Sequence, residues 1–255
     1  MSRLPLPREY ILASIKYIDA KLEKLPDCYV VNRGKIEKIR TRNPRHEYSI
    51  CSDRGQVLMS CLIERQKLIK IKQQLINEWE RVYSERIDTS IISINNNIPI
   101  AGFDLWSSLS GKSNSYEKTE SLYHNGIQVR SRMEMGIGEM LDNLGLDYVY
   151  EPEIEINNKR LSPDFVIHIP TFNCCIILEF LGMLDDYNYL DNAKLKIGVY
   201  LNNGYFPENN LILLCGNKNT APSFDSIYNS IVVCLSNLST MFVKVTDLVT
   251  GKPFW

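Results

Sequence analysis

Four charged residues in the C-terminal half, Glu134, Asp164, Glu179 and Lys196, stand where the surrounding pattern favours apolar side chains. The run Pro163 to Gly182 reads as a β-hairpin with one carboxylate on each strand. A tight turn at Pro170-Thr171-Phe172-Asn173 pairs His168 with Cys175 and, by the same index sum, sets Asp164 directly opposite Glu179. Like charges across a ladder are destabilising, so two acids set among Phe165, Ile167, Ile176, Ile177 and Leu178 imply a neutralising third party. A divalent cation is the natural candidate. Carboxylates suit Mg²⁺, which Mn²⁺ can replace; such an ion keeps waters, polarises a phosphodiester and lowers the pKa of an attacking water. The Lys196 ammonium can orient that water or stabilise the charge that builds up in the transition state.

Helical spacing brings the other two charges to the same place. Glu134 shares a stripe with Ile137 and Leu141, whereas Glu139 falls on the polar face with Arg132 and Asp142. Tyr189, Ala193, Lys196 and Tyr200 form one stripe of a later helix, with Lys194 as a competitor on the neighbouring stripe. Glu151 reads as an ordinary strand-end acid, and Arg130 and Arg132 as surface charges within reach of phosphate.

The elements that must carry these residues follow from periodicity and breakers. A helix is expected over residues 129–144, ending at Gly145, then a strand over 148–156, the hairpin 164–169 and 174–181, a helix capped by Asp186 and running to about 202, and an apolar strand over 211–215. The order is α-β-β-β-α-β. A continuous apolar strand after a crossover helix implies parallel pairing inside a mixed sheet, hence an α/β chain, α+β overall. A tail helix from Ser226 and a strand over 241–245 complete the pattern.

These residues carry a family resemblance. Pro163-Asp164, then Glu179 fifteen positions on, preceded by a helix with an acid in Arg130-Ser131-Arg132-Met133-Glu134, resembles the PD-(D/E)xK nuclease superfamily, whose restriction-endonuclease-like core has this element order. The run Glu179-Phe180-Leu181-Gly182-Met183-Leu184-Asp185-Asp186, followed by Tyr189, Lys196 and Tyr200, is similar to a bacterial and phage branch with its lysine on the following helix. Leu181 stands where many members keep the motif lysine, and Phe180 where the branch usually has His. The resemblance implies Asp164 and Glu179 as metal ligands, Glu134 as auxiliary acid and ligand, Lys196 as catalytic lysine, DNA rather than RNA as substrate, and leaves a homodimer open.

Charge divides the chain. Residues 1–86 hold 18 Lys/Arg against 11 Asp/Glu, a balance of +7, and the remainder carries −8. A basic part fit to grip a polyanion thus precedes an acidic part fit to hold cations. Within 1–86, a helix over residues 8–25 leads to a small antiparallel meander over 28–50 and a long helical stretch over 56–83. Arg33, Lys35, Lys38, Arg40, Arg42 and Arg45 make the meander the densest basic patch and candidate nucleic-acid contacts, with Tyr29 and Tyr48 as stacking partners for bases. We expect a basic region at 1–86, a turn-rich connection at 87–125 and the nuclease-like domain at 126–255. Seven cysteines without a Cys-x-x-Cys pair and three scattered histidines argue against a disulfide framework or a zinc site. With no signal-like leader and no apolar run long enough to span a bilayer, a cytoplasmic protein without a membrane partner is expected. The rival functions are a nuclease fold that has lost catalysis and acts as a binding or scaffolding module, and a regulatory protein whose meander docks RNA or an acidic partner.

Overall fold

The computed structural model describes residues 2–33, 36–103, 105–109, 122–217 and 219–246, and the chain divides into two compact units, Ile11–Ser90 and Met1–Tyr10 with Ile91–Trp255. Helix α1 (Arg8–Lys24) crosses that division. In the smaller unit, β1 (Cys28–Arg33), β2 (Ile36–Thr41) and β3 (Glu47–Ser49) form the expected antiparallel meander. Helix α2 (Asp53–Val82) follows as one 30-residue helix whose N-cap Ser52 accepts the Gly55 N–H. Cys28 and Ile39 from the meander pack with Leu58 of α2.

The larger unit is mixed α/β. Its strands and helices run β4 (Ile92–Ile94), α3 (Leu105–Ser108), β5 (Leu122–His124), β6 (Ile127–Val129), α4 (Arg132–Leu144), β7 (Asp147–Tyr150), β8 (Ile154–Ile156), β9 (Lys159–Leu161), β10 (Phe165–Ile169), β11 (Cys174–Leu181), α5 (Tyr187–Asn202), β12 (Leu211–Cys215), α6 (Phe224–Phe242) and β13 (Val243–Val245). Four strands build the central sheet in the order β12-β11-β10-β7, with β11 and β12 parallel and the other pairs antiparallel. The parallel pair is joined through α5, and its strands are apolar because both faces are covered: Ile176, Ile177, Leu178 and Leu211 are fully buried.

Two expectations change. The strand over 148–156 is broken: β7 stops at Tyr150, Glu151 takes a positive φ of 44°, and the chain resumes as the separate β8–β9 hairpin. The cause is local, since Pro152 removes a ladder donor and Glu151 is turned inward. Part of the 87–125 segment, expected to be a connection, contributes structure to the larger unit. Strand β4 pairs with β13, and Gly102, at φ 87°, accepts the Cys175 N–H so closely that a Cβ there would stand 2.8 Å from the Cys175 carbonyl oxygen. Residues 104 and 110–121 lie outside the described residues.

Helix α4 is fixed at both ends by its own sequence. Ser131 and Glu134 form a capping box, and Gly145, at φ 69°, ends the helix in the left-handed region. Ile137 and Leu141 are fully buried and Glu134 is 5% exposed, so the stripe that carries the acid is the stripe that faces the core.

Candidate active site

The hairpin register brings the first two acids together. Phe165 pairs with Leu178 and His168 with Cys175, and the next step of the same register sets Asp164 across from Glu179. The ladder ends there in a side-chain bond, because Asp164 Oδ2 accepts the Phe180 N–H at 2.6 Å. The other oxygen, Oδ1, accepts from Arg130 Nη2 at 2.8 Å. Both acids are buried, Asp164 at 6% and Glu179 at 3% exposure.

Glu179 is held from α5. Lys196 Nζ lies 2.6 Å from Oε1 and 2.8 Å from Oε2, and the Tyr200 hydroxyl donates to Oε1 at 2.6 Å. The ammonium also donates to the Ser162 carbonyl at 2.7 Å, while Lys194 pairs instead with exposed Asp191. Burial pushes the Glu179 carboxyl up to about 7; Lys196 opposes the rise and Asp164 adds to it.

Glu134 approaches from α4. Its Oε2 accepts from the Arg130 N–H at 2.9 Å, the Ser131 N–H at 3.0 Å and the Tyr150 hydroxyl at 2.8 Å, and Oε1 lies 3.7 Å from Arg130 Nη2. Burial, followed by the charge of Asp164, raises its pKa above the usual range, against the bonds from Tyr150 and Arg130. One oxygen is thus committed to the helix cap.

Two residues that the sequence reading set aside belong here. Arg130, expected at the surface, places its guanidinium against three acids: Nε stands 2.5 Å from Glu151 Oε1, and Nη2 faces Asp164 and Glu134. Burial works against its charge, but Glu151, Asp164 and Glu134 more than offset that and its pKa is raised. Glu151 is 1% exposed and holds its unusual backbone by donating its N–H to the Asp164 carbonyl at 2.9 Å. A non-glycine residue at positive φ costs roughly 1–3 kcal/mol, and such strain gathers at functional sites. The legible signal for Arg130 was the Ser131-x-x-Glu134 capping box, which fixes the residue just before the cap over the acid.

Four buried acids, Glu134, Glu151, Asp164 and Glu179, therefore face two cations, Arg130 and Lys196, for a formal charge of −2 when all four are ionised. A divalent cation has the opposite charge, and carboxylates are the hard oxygen donors that Mg²⁺ takes, so the donor chemistry fits. The arrangement described here gives both oxygens of Asp164 and of Glu179 to the chain's own donors, and among the described residues no three acidic, His or Cys side chains are disposed to ligate one ion together.

The basic meander is less open than its composition implies. Arg40 is 9% exposed, bonded to Glu47 and to the Tyr29 hydroxyl; Lys38 stands 3.9 Å from Glu47 and Arg42 3.2 Å from Asp27. Arg40 and Arg42 both lie over the Tyr29 ring, a face expected to be available to bases. Arg45 is exposed, Arg33 ends β1, and Lys35 lies outside the described residues. His124 bonds Asp142 at 2.7 Å, His168 stacks on Trp106, and the cysteines are all free thiols. Among the described residues no helix is long and apolar enough to cross a membrane.

No family model matches this chain, and no solved structure does. A curated relative, the uncharacterized protein MJ1519 of Methanocaldococcus jannaschii, is 31% identical over 90 residues, which is 35% of this chain. The match spans only 8% of that relative's length.

Proposed function

We propose that the larger unit is a Mg²⁺-dependent nuclease of the PD-(D/E)xK type that hydrolyses phosphodiester bonds, with DNA as the favoured substrate. The observation that carries this reading is that four buried carboxyl groups meet only two cations, one of them a lysine, in one centre. An ordinary fold gains nothing from burying four acids against two cations; a centre that receives a divalent ion does. The order α4-β7-β10-β11-α5-β12 supports a restriction-endonuclease-like core, with the β8–β9 hairpin as an insertion between the first two sheet strands.

In this reading Asp164 and Glu179 would hold the ion once their present donors give way, and Glu134 would turn Oε1 toward it, since Oε2 serves the helix cap. The ion, when bound, polarises the phosphodiester and activates a water. Lys196 does the rest from α5. Its ammonium, anchored on the Ser162 carbonyl, stands at the rim of the acids, and a donor that it now gives to Glu179 would turn to an attacking water or a developing phosphorane oxygen once an ion takes that carboxylate. Tyr200 fixes Glu179 so that the carboxylate does not swing with the lysine.

A second reading, a nuclease fold kept as a binding or scaffolding module, is favoured by one observation: both oxygens of Asp164 and of Glu179 already have donors within the chain. One experiment separates the two. Single-stranded, double-stranded and branched DNA and RNA are incubated with wild type and Asp164→Asn, with Mg²⁺ or EDTA. Cleavage that needs Mg²⁺ and is lost in Asp164→Asn supports the nuclease; no cleavage of any substrate by wild type leaves the binding module.

A further inference from the structure

The Arg130 guanidinium lies in the middle of the acids rather than beside them. Its side-on edge is used up: Nε is 2.5 Å from Glu151, and Nη2 is 2.8 Å from Asp164 and 3.7 Å from Glu134. Nη1 makes none of these contacts. The side chain as a whole is 39% exposed, whereas those of Glu134, Glu151 and Asp164 are 6%, 1% and 8% exposed. One edge of a planar cation thus covers the acids on a side chain that is itself partly exposed.

Two features argue against a purely structural pair. A single cation neutralises one of three carboxylates, and truncating it would expose three like charges to each other. Glu151 also reaches it from a strained backbone at φ 44°, a cost that the ion pair has to offset.

We propose that Arg130 is a phosphate-binding residue of the nuclease centre, parked on Asp164 and Glu134 when no divalent cation is bound and swung outward on Glu151 when one binds. The inference rests on the nuclease reading. A divalent ion and the guanidinium compete for Asp164 Oδ1, because both need that oxygen. Glu151 keeps hold of Nε, so the displaced group pivots rather than leaves. The Nη1/Nη2 edge then meets solvent beside the acids, in the paired-donor geometry that suits a phosphodiester oxygen pair. Arg130 would touch substrate, and Glu151 would be its positioning residue.

Two readouts on the full chain test this. The first is Mn²⁺ affinity, followed by the electron paramagnetic resonance of free Mn²⁺, for wild type, Arg130→Lys and Arg130→Gln. The second is affinity for a DNA oligonucleotide with non-cleavable phosphorothioate linkages in saturating Ca²⁺. Removing the competitor should tighten Mn²⁺ binding about tenfold or more in Arg130→Gln, and less in Arg130→Lys, while DNA binding weakens by a similar factor in both. Arg130→Lys keeps the charge, so it provides the comparison if Arg130→Gln does not fold, as judged by circular dichroism. Opposite signs in the two readouts support the proposal. Mn²⁺ affinity that is unchanged or lower in Arg130→Lys, with wild type binding normally, overturns the inference and leaves the nuclease reading standing. Absence of Mn²⁺ binding by wild type removes that reading and the inference with it.

Discussion

Lys196, itself partly exposed, forms an ion pair with buried Glu179 in which one ammonium lies within 2.8 Å of both carboxylate oxygens. A lysine used only for charge balance needs no such enclosure. Here the Ser162 carbonyl takes a further donor direction and Tyr200 fixes the acid from the other side. Side-chain entropy is lost on both partners, which is the arrangement expected of a group whose position matters.

Lys196→Met should lower phosphodiester cleavage by about 100-fold or more while the fold survives, because the aliphatic stem is kept and only the ammonium is lost. Lys194→Met should change cleavage little, since Lys194 pairs with exposed Asp191. Single-turnover rates with saturating Mg²⁺, alongside circular dichroism spectra, decide the matter. Equal losses in both variants would remove Lys196 from its proposed role.

The Glu179 carboxyl, raised from an ordinary value of 4.5 to about 7, sets a pH dependence of stability. Between those values the folded protein holds a proton that the unfolded chain has released. Stability in EDTA should therefore fall as pH rises from about 4.5 to about 7 and level off above it. The raised pKa of Glu134 acts in the same direction. Urea midpoints at a series of pH values should give this slope for wild type and a flatter one for Glu179→Gln; identical slopes would contradict it. Added Mg²⁺ should stabilise wild type more at pH 8 than at pH 5, because binding needs the ionised acids.

The element order, the hairpin register and the helix stripes were legible because each rests on a local period or breaker. Asp164 and Glu179 share an index sum with His168 and Cys175, and Glu134 shares a stripe with Ile137 and Leu141. What escaped depends on a residue turning against its local pattern. Glu151 looked like the end of a strand, yet its positive φ aims it into the core. Arg130 looked like a surface charge because the acids that hold it come from three separate segments, Glu134 on α4, Glu151 after β7 and Asp164 before β10. Arg40 misled in the opposite sense: its partner Glu47 lies across the β2–β3 ladder, and burial follows from that pairing rather than from composition.

Glu134 is both a helix cap and a member of the acidic centre, and substitution can separate the two roles. Glu134→Ala deprives the Arg130 and Ser131 N–H groups and the Tyr150 hydroxyl of their acceptor, which should cost about 1–3 kcal/mol in urea unfolding. Glu134→Gln keeps an acceptor oxygen and should recover most of that stability without recovering the charge. Cleavage that returns with Glu134→Gln would mean that the acid serves the cap alone; cleavage that stays low, with stability restored, assigns it to the centre.

The basic meander makes the last case, because its cations differ in what they are free to do. Arg40 is enclosed by Glu47 and Tyr29, so Arg40→Ala should lower the thermal midpoint and leave the salt dependence of nucleic-acid binding unchanged. Arg45 is exposed, so Arg45→Ala should leave the midpoint alone and, if the side chain meets a phosphate, reduce the slope of log affinity against log salt by about 0.9. Lys38 and Arg42 fall between, since each must leave a carboxylate at 3.9 Å or 3.2 Å to reach a polyanion. Affinities for one DNA duplex at three salt concentrations measure all four. A meander that grips nucleic acid gives the larger slope change at Arg45 than at Arg40; a flat response at Arg45, Lys38 and Arg42 together removes the meander from the nucleic-acid contact and leaves its positive charge as a solvated face.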